Sequence, residues 1–155
     1  MRAAVLHGRE DVRLEDVPRP SPGPGEVRVR VEAALTCGTD AKVFRRGYHA
    51  RMITPPALFG HEMAGVVDAV GEGVTAFAPG ARVVTANSAP CGACAPCRAD
   101  RPSLCDDLLF WNGAYAEQAL LPARIVQKNL LPLPAGLSFR RAAMTEPLAC
   151  VVRGV

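Results

Sequence analysis

Gly60-His61-Glu62-Met63-Ala64-Gly65-Val66-Val67-Asp68-Ala69-Val70-Gly71-Glu72-Gly73-Val74 is an apolar run with a polar pair at its head and glycines at its foot. The run from Gly60 to Val70 is too short and too rich in valine and glycine for a helix, and it reads as a strand. Gly71-Glu72-Gly73 closes it as a turn. Upstream, Glu26 to Glu32 alternates Val27, Val29 and Val31 with Glu26, Arg28, Arg30 and Glu32. That period of two makes it a second strand with one wet face.

Working outward, residues 1–35 read as strands joined by turns, with the rigid segment Pro18 to Gly25 among them. A short helix is expected after Leu35, capped by Thr39 or Asp40. Pro55-Pro56 reopens an extended segment, Ala81 to Ala86 is a short strand, and 114–121 and 124–133 are strand-like. From Ser138 the pattern turns helical, is broken at Pro147, and resumes as a second helical run to the end of the chain. The 14 glycines and 14 prolines among 155 residues argue against a helix bundle, and aromatics at 5% leave the core to Val, Leu, Ala and Ile. A mainly β, barrel-like domain is expected.

The net charge of +3 comes from scattered basic residues, with only Arg45-Arg46 and Arg140-Arg141 adjacent. Nucleic-acid binding needs a clustered basic face, so a solvated surface is expected instead. No segment approaches the roughly 20 apolar residues of a membrane span, and no signal-peptide core stands at the N-terminus. A cytoplasmic protein is expected, in a compartment that disfavours structural disulfides.

Residues 87–105 have no periodicity but carry Cys91-x2-Cys94-x2-Cys97-x7-Cys105. Four thiolates at two short spacings suit a tetrahedral Zn²⁺, and Gly92, Ala93, Ala95 and Pro96 let the backbone wrap around an ion. Disulfides and an iron–sulfur cluster are the competing readings. A site closed by four thiolates has a structural role, and metal binding there contributes directly to folding.

Cys37-Gly38-Thr39-Asp40, taken with Gly60-His61-Glu62-x2-Gly65-x5-Gly71-x2-Val74, resembles the zinc-dependent alcohol dehydrogenases of the medium-chain dehydrogenase/reductase superfamily. The cysteine lobe matches that family in spacing and position. Glu146-Pro147-Leu148-Ala149-Cys150 looks like the Glu-Pro-Leu segment of its polyol and threonine dehydrogenase branch. The resemblance implies a GroES-like catalytic domain over residues 1–137, a partly open β-barrel with short helices and a structural-zinc lobe at 87–106. A helical exit segment, 138–155, would lead toward a cofactor-binding domain. Cys37, His61, Glu62 and Glu146 then fall where the family builds an open catalytic zinc site for hydride transfer from a hydroxyl. The resemblance assigns Thr39 to accept the substrate proton and Asp40 to orient His61 through a hydrogen bond. One of Glu62 and Glu146 would be a direct ligand while the other holds zinc-bound water, with the choice left open. Cys150 is read as helix packing, His49 as an exposed residue near the substrate side, and His7 as surface. Tyr48, Phe59, Phe110 and Trp111 are expected to wall the pocket.

A dinucleotide fingerprint is missing: Gly23-Pro24-Gly25 and Gly71-Glu72-Gly73 are turns without the following helix. NAD(P) would therefore bind only through a domain outside these residues. The expectation is the zinc-binding portion of an NAD(P)-dependent alcohol or polyol dehydrogenase, acting on an alcohol, polyol or sugar. It holds two zinc ions, the catalytic one part-occupied, and is inactive by itself. The alternative is a non-catalytic, zinc-stabilised binding or assembly module. Oligomeric state is open.

Overall fold

The computed structural model describes residues 1–155. The chain runs through β1 (Arg2–Gly8), β2 (Asp11–Asp16), β3 (Val27–Leu35), α1 (Gly38–Arg46), β4 (Ala57–Leu58), β5 (Glu62–Val70) and β6 (Arg82–Thr85). It continues through β7 (Ser88–Ala89), α2 (Ala95–Arg98), a 3₁₀ turn (Pro102–Leu104), β8 (Leu109–Phe110), β9 (Gln118–Leu121), α3 (Ala123–Asn129), β10 (Leu130–Pro132), α4 (Phe139–Ala143) and α5 (Thr145–Gly154).

The strands form a five-stranded antiparallel sheet in the order β10-β6-β5-β3-β9, a three-stranded sheet β2-β1-β4 and the pair β7-β8. The two larger sheets meet where Ala3 pairs with Ala116 and Ala4 N donates to Tyr115 O at 2.7 Å. They curl toward one another without closing, so the architecture is a mainly β, partly open GroES-like barrel.

The two strands legible in the sequence, β3 and β5, lie side by side at its centre, Val27 opposite Val70 and Leu35 opposite Glu62. Val27, Val29, Met63, Val67, Val83 and Leu121 pack between the layers with Trp111 and Ile125. Arg28 turns to the outer face and pairs with Asp68 at 2.6 Å, and Asp68 also accepts from Arg19 at 2.7 Å. These bonds hold the proline-rich segment against the sheet.

Gly65 on β5 pairs with Val31 on β3, and a Cβ there would lie 2.1 Å from the Arg30 carbonyl oxygen. Gly65→Ala must push two central strands apart. A loss of about 1–3 kcal/mol is expected in urea denaturation, with a native-like fold before the transition.

Three sequence expectations change. Residues 124–133 are a helix followed by a three-residue strand, not one strand: Pro122 starts α3, and Ile125 and Val126 are buried on one side of it. The C-terminal break falls at Met144, between α4 and α5. Pro147 instead lies in the first turn of α5, where a missing N–H costs nothing. The cap of α1 is Cys37, described below. α4 is seated on the sheet by Ala142 and Ala143 against Ala64 and Val84, whereas α5 leaves Leu148, Val151 and Val152 exposed. No helix is long and apolar enough to cross a membrane.

Candidate metal centre and adjoining cleft

The connection from β3 into α1 brings the first donor into position. Cys37 is the N-cap of α1: its sulfur accepts from Thr39 N at 3.3 Å, while Asp40 Oδ2 accepts from Cys37 N at 3.0 Å. This reciprocal box replaces the expected capping by Thr39 or Asp40, because the helix begins at Gly38, one residue ahead of Thr39. The same two side chains serve the site. Cys37 offers sulfur to the cleft, and Asp40, 2% exposed, reaches His61 Nδ1 at 3.1 Å.

His61 and Glu62 arrive at the start of β5. Gly60 ahead of them has φ +79°, and a Cβ there would meet the Tyr115 ring at 2.5 Å. That close approach lets the Tyr115 hydroxyl lie 3.0 Å from Asp40 Oδ2, 2.7 Å from Leu35 O and 2.9 Å from Thr36 Oγ1. Tyr115 thus braces the carboxylate that braces the histidine. Sequence reasoning missed it, since the contact spans 75 residues and belongs to no motif.

With Nδ1 facing Asp40, His61 Nε2 points inward, 3.5 Å from Cys37 Sγ and 3.8 Å from Glu62 Oε1. The donor atoms of Cys37, His61 and Glu62 all lie within 4.8 Å of one another. Glu62 is 1% exposed, and its Oε1 is a buried side-chain oxygen without a hydrogen-bond partner. Burial pushes Glu62 up from the ordinary carboxylate value, opposed by Cys37 and His61 and reinforced by Glu146. Burial would push His61 down, but the hydrogen bond and charge of Asp40 outweigh it and hold the imidazole above its usual value. Burial likewise raises the Cys37 thiol. A cysteine, a histidine and an orphaned buried carboxylate form a donor set suited to Zn²⁺.

Glu146, at the start of α5, stays outside that tight group but lines the same cleft, of about 540 Å³. Thr39, Lys42, His49, Phe110 and Cys150 line it too. Cys150 departs from expectation: it does not pack, but is exposed in the cleft one helical turn beyond Glu146, with Sγ 3.8 Å from Glu146 Oε1. His49 is half-buried and faces the cleft, held there by its bridge to Ile53. Of the four aromatic residues expected in the wall, Phe110 is there. Tyr48 lines a neighbouring cleft, while Phe59 and Trp111 are buried in the cores.

A larger cleft of about 580 Å³ lies beside β1 and β2, apolar apart from a few polar side chains such as the half-buried pair of His7 and Glu15 at 2.7 Å. It contains no metal-ligating cluster, so chemistry rather than volume selects the smaller one.

The cysteine lobe is separate. Cys91, Cys94, Cys97 and Cys105 bring their sulfur atoms within 4.8 Å of one another, and all are free thiols. The N–H groups of Ala93 and Cys94 pull the Cys91 thiol down to about 6. Burial and the adjoining Cys94 push Cys97 up to about 12.

The family description "Alcohol dehydrogenase GroES-like domain" matches residues 23–134. The chain belongs to this family. The chain is 32% identical over 155 residues to a sorbitol dehydrogenase of Bacillus subtilis, covering 96% of this chain and 43% of that protein. It is 35% identical over 153 residues to an L-threonine 3-dehydrogenase of Bacillus licheniformis, again covering 96% and 43%. Among solved structures, the alcohol dehydrogenase TADH from Thermus sp. ATN1 superposes with a TM-score of 0.79 at 33% identity, covering 93% of this chain and 43% of that one. The chain spans less than half the length of these relatives.

Proposed function

We propose that these 155 residues are the zinc- and substrate-binding portion of an NAD(P)-dependent alcohol or polyol dehydrogenase. The observation that carries this reading is Glu62 Oε1, an unpartnered buried oxygen beside a thiol and an imidazole. A buried carboxylate oxygen with no donor is costly, and a divalent cation offsets that cost. A module using zinc only for stability would need the four-cysteine lobe and have no use for this second cluster.

Cys37, His61 and Glu62 would hold the ion, with Glu146 across the cleft as the alternate carboxylate. Zinc bound there acts as a Lewis acid that lowers the pKa of a substrate hydroxyl. Asp40 fixes the Nδ1–H tautomer of His61 and leaves Nε2 free as a donor atom. The Thr39 hydroxyl, on the cleft wall, would relay the proton that the substrate hydroxyl releases, accepting it as its own O–H proton passes to water in the open cleft. The lobe at 87–106 carries the second, structural zinc. Hydride transfer needs a nicotinamide, and with no dinucleotide fingerprint among these residues the isolated polypeptide is expected not to turn over.

Elemental analysis of the purified chain tests this reading. About two zinc ions per chain are expected, falling to about one in His61→Ala. One ion in both proteins sinks the catalytic-zinc assignment.

A further inference from the structure

Beside the metal cluster the surface turns basic. Between Asp40 and Glu62 the sequence carries Lys42, Arg45, Arg46, His49 and Arg51 and no carboxylate. Thr39, Lys42 and Arg46 recur at steps of three and four on α1 and so share one helical face. That face lines a cleft of about 240 Å³ together with Tyr48 and His49. Thr39, Lys42 and His49 are also walls of the cleft over Cys37, His61 and Glu62, so the two clefts adjoin along these three residues. Arg51 lies over Phe110, another wall of the metal cleft, with its guanidinium carbon 5.6 Å from the ring centroid.

These cations lack carboxylate partners. Arg13, Arg28 and Arg124 pair with Asp11, Asp68 and Asp107. No such pair within 4.0 Å involves Lys42, Arg46 or Arg51. The carboxylates of the joined clefts are Glu62 and Glu146, both on the metal side. A helix also gathers basic residues in its last turn to complement its dipole, as Arg45 and Arg46 do. Lys42 stands a full turn earlier and belongs to both clefts, which dipole complementation does not explain. Unpaired cations at the mouth of a cleft attract an anion, and arginine forks suit planar or tetrahedral oxyanions.

We infer that Lys42, Arg46 and His49 form an anion subsite for a phosphate or carboxylate carried by the same small molecule whose hydroxyl enters the metal cleft. The inference rests on the dehydrogenase reading and names its substrate class: a small hydroxylated anion. Arg46 offers paired N–H groups to two oxygens of the anion. Lys42 stands between the anion and the reacting hydroxyl. His49 Nδ1 accepts from Arg51 N at 3.3 Å, which places the proton of the neutral ring on Nε2, a donor toward the ligand.

The test titrates the zinc-loaded, ¹⁵N-labelled chain with glycerol 3-phosphate, glycerate or glycerol and follows the amide signals of Thr39, Lys42, Arg46 and His49. At least one anion is expected to bind about tenfold more tightly than glycerol, the advantage of a charge-assisted contact over a neutral one. The tighter anion identifies the headgroup. Lys42→Gln combined with Arg46→Gln should erase the preference, as should Arg46→Gln in large part by itself, while Arg45→Gln, which removes one positive charge off the cleft face as Arg46→Gln removes one on it, should keep it. The same spectra report whether each variant is folded. Equal binding of all three probes, no shift with any, or an equal loss in Arg45→Gln overturns the subsite. Failure of the zinc reading is distinct, since it appears as a missing second ion whatever the anion preference.

Discussion

Cys105→Ser, or chelation of the unaltered chain, is expected to release the segment 91–105 to trypsin at Arg98 while the sheet stays folded; Arg101 is followed by Pro102 and is not a tryptic site. The reason is the distribution of buried surface. From Cys91 to Asp107 the only buried residue is Cys105, and the two helical turns within it, Ala95–Arg98 and Pro102–Leu104, bury nothing. The segment has no apolar core of its own. Its order rests on local backbone hydrogen bonds and on whatever ties the four sulfurs together. In small zinc modules that tie contributes about 10–16 kcal/mol, which no set of exposed turns replaces. Serine offers no thiolate at neutral pH, so its substitution removes a ligand outright. The main cluster around Val27, Val67 and Leu121 draws nothing from 91–105, so its urea midpoint should move little. Tryptic cleavage at Arg98 that is unaffected by chelator would show that the lobe is held without metal.

The lobe was legible in the sequence because its chemistry is local: four cysteines within fifteen residues need no tertiary information. The strands β3 and β5 were legible for a similar reason, since valine alternation and the closing glycines state their own geometry. α3 was not. Its seven residues are too few to display a helical period, and Ile125-Val126 fits a strand as well until Leu121 and Leu130 fix which side is inward. At the metal cluster, the order of motifs pointed to Cys37, His61 and Glu62, but nothing in it separated Glu62 from Glu146. The distinction comes from depth: Glu62 lies at the head of a central strand, whereas Glu146 sits on α5 at the rim. Cys150 was misread because its relation to the cleft depends on the direction of α5, which is set by the break at Met144.

Asp40→Asn is expected to weaken zinc at Cys37-His61-Glu62 by about 10–100-fold, the usual consequence of losing the partner that orients a liganding histidine. The carboxylate has two oxygens with separate duties. Oδ2 accepts from Cys37 N, and Oδ1 meets His61 Nδ1, so one side chain positions two of the three proposed ligands. An amide of the same shape has a single acceptor. Whichever way it turns, one of the two N–H groups faces an NH₂ group in a site that is 2% exposed. If the oxygen stays on His61, α1 loses half of its capping box and Cys37 shifts. If it stays on Cys37, His61 loses its tautomer. The zinc-free protein should therefore lose about 1–3 kcal/mol in urea as well, the cost of an unsatisfied buried donor. Tyr115→Phe separates orientation from charge, because it removes the brace on Asp40 but leaves the carboxylate in place, and a smaller loss of zinc affinity is expected. Competition against a chromophoric chelator, with the lobe zinc as internal reference, measures both variants. Unchanged affinity in Asp40→Asn would mean that His61 is oriented without Asp40, or that no ion sits there.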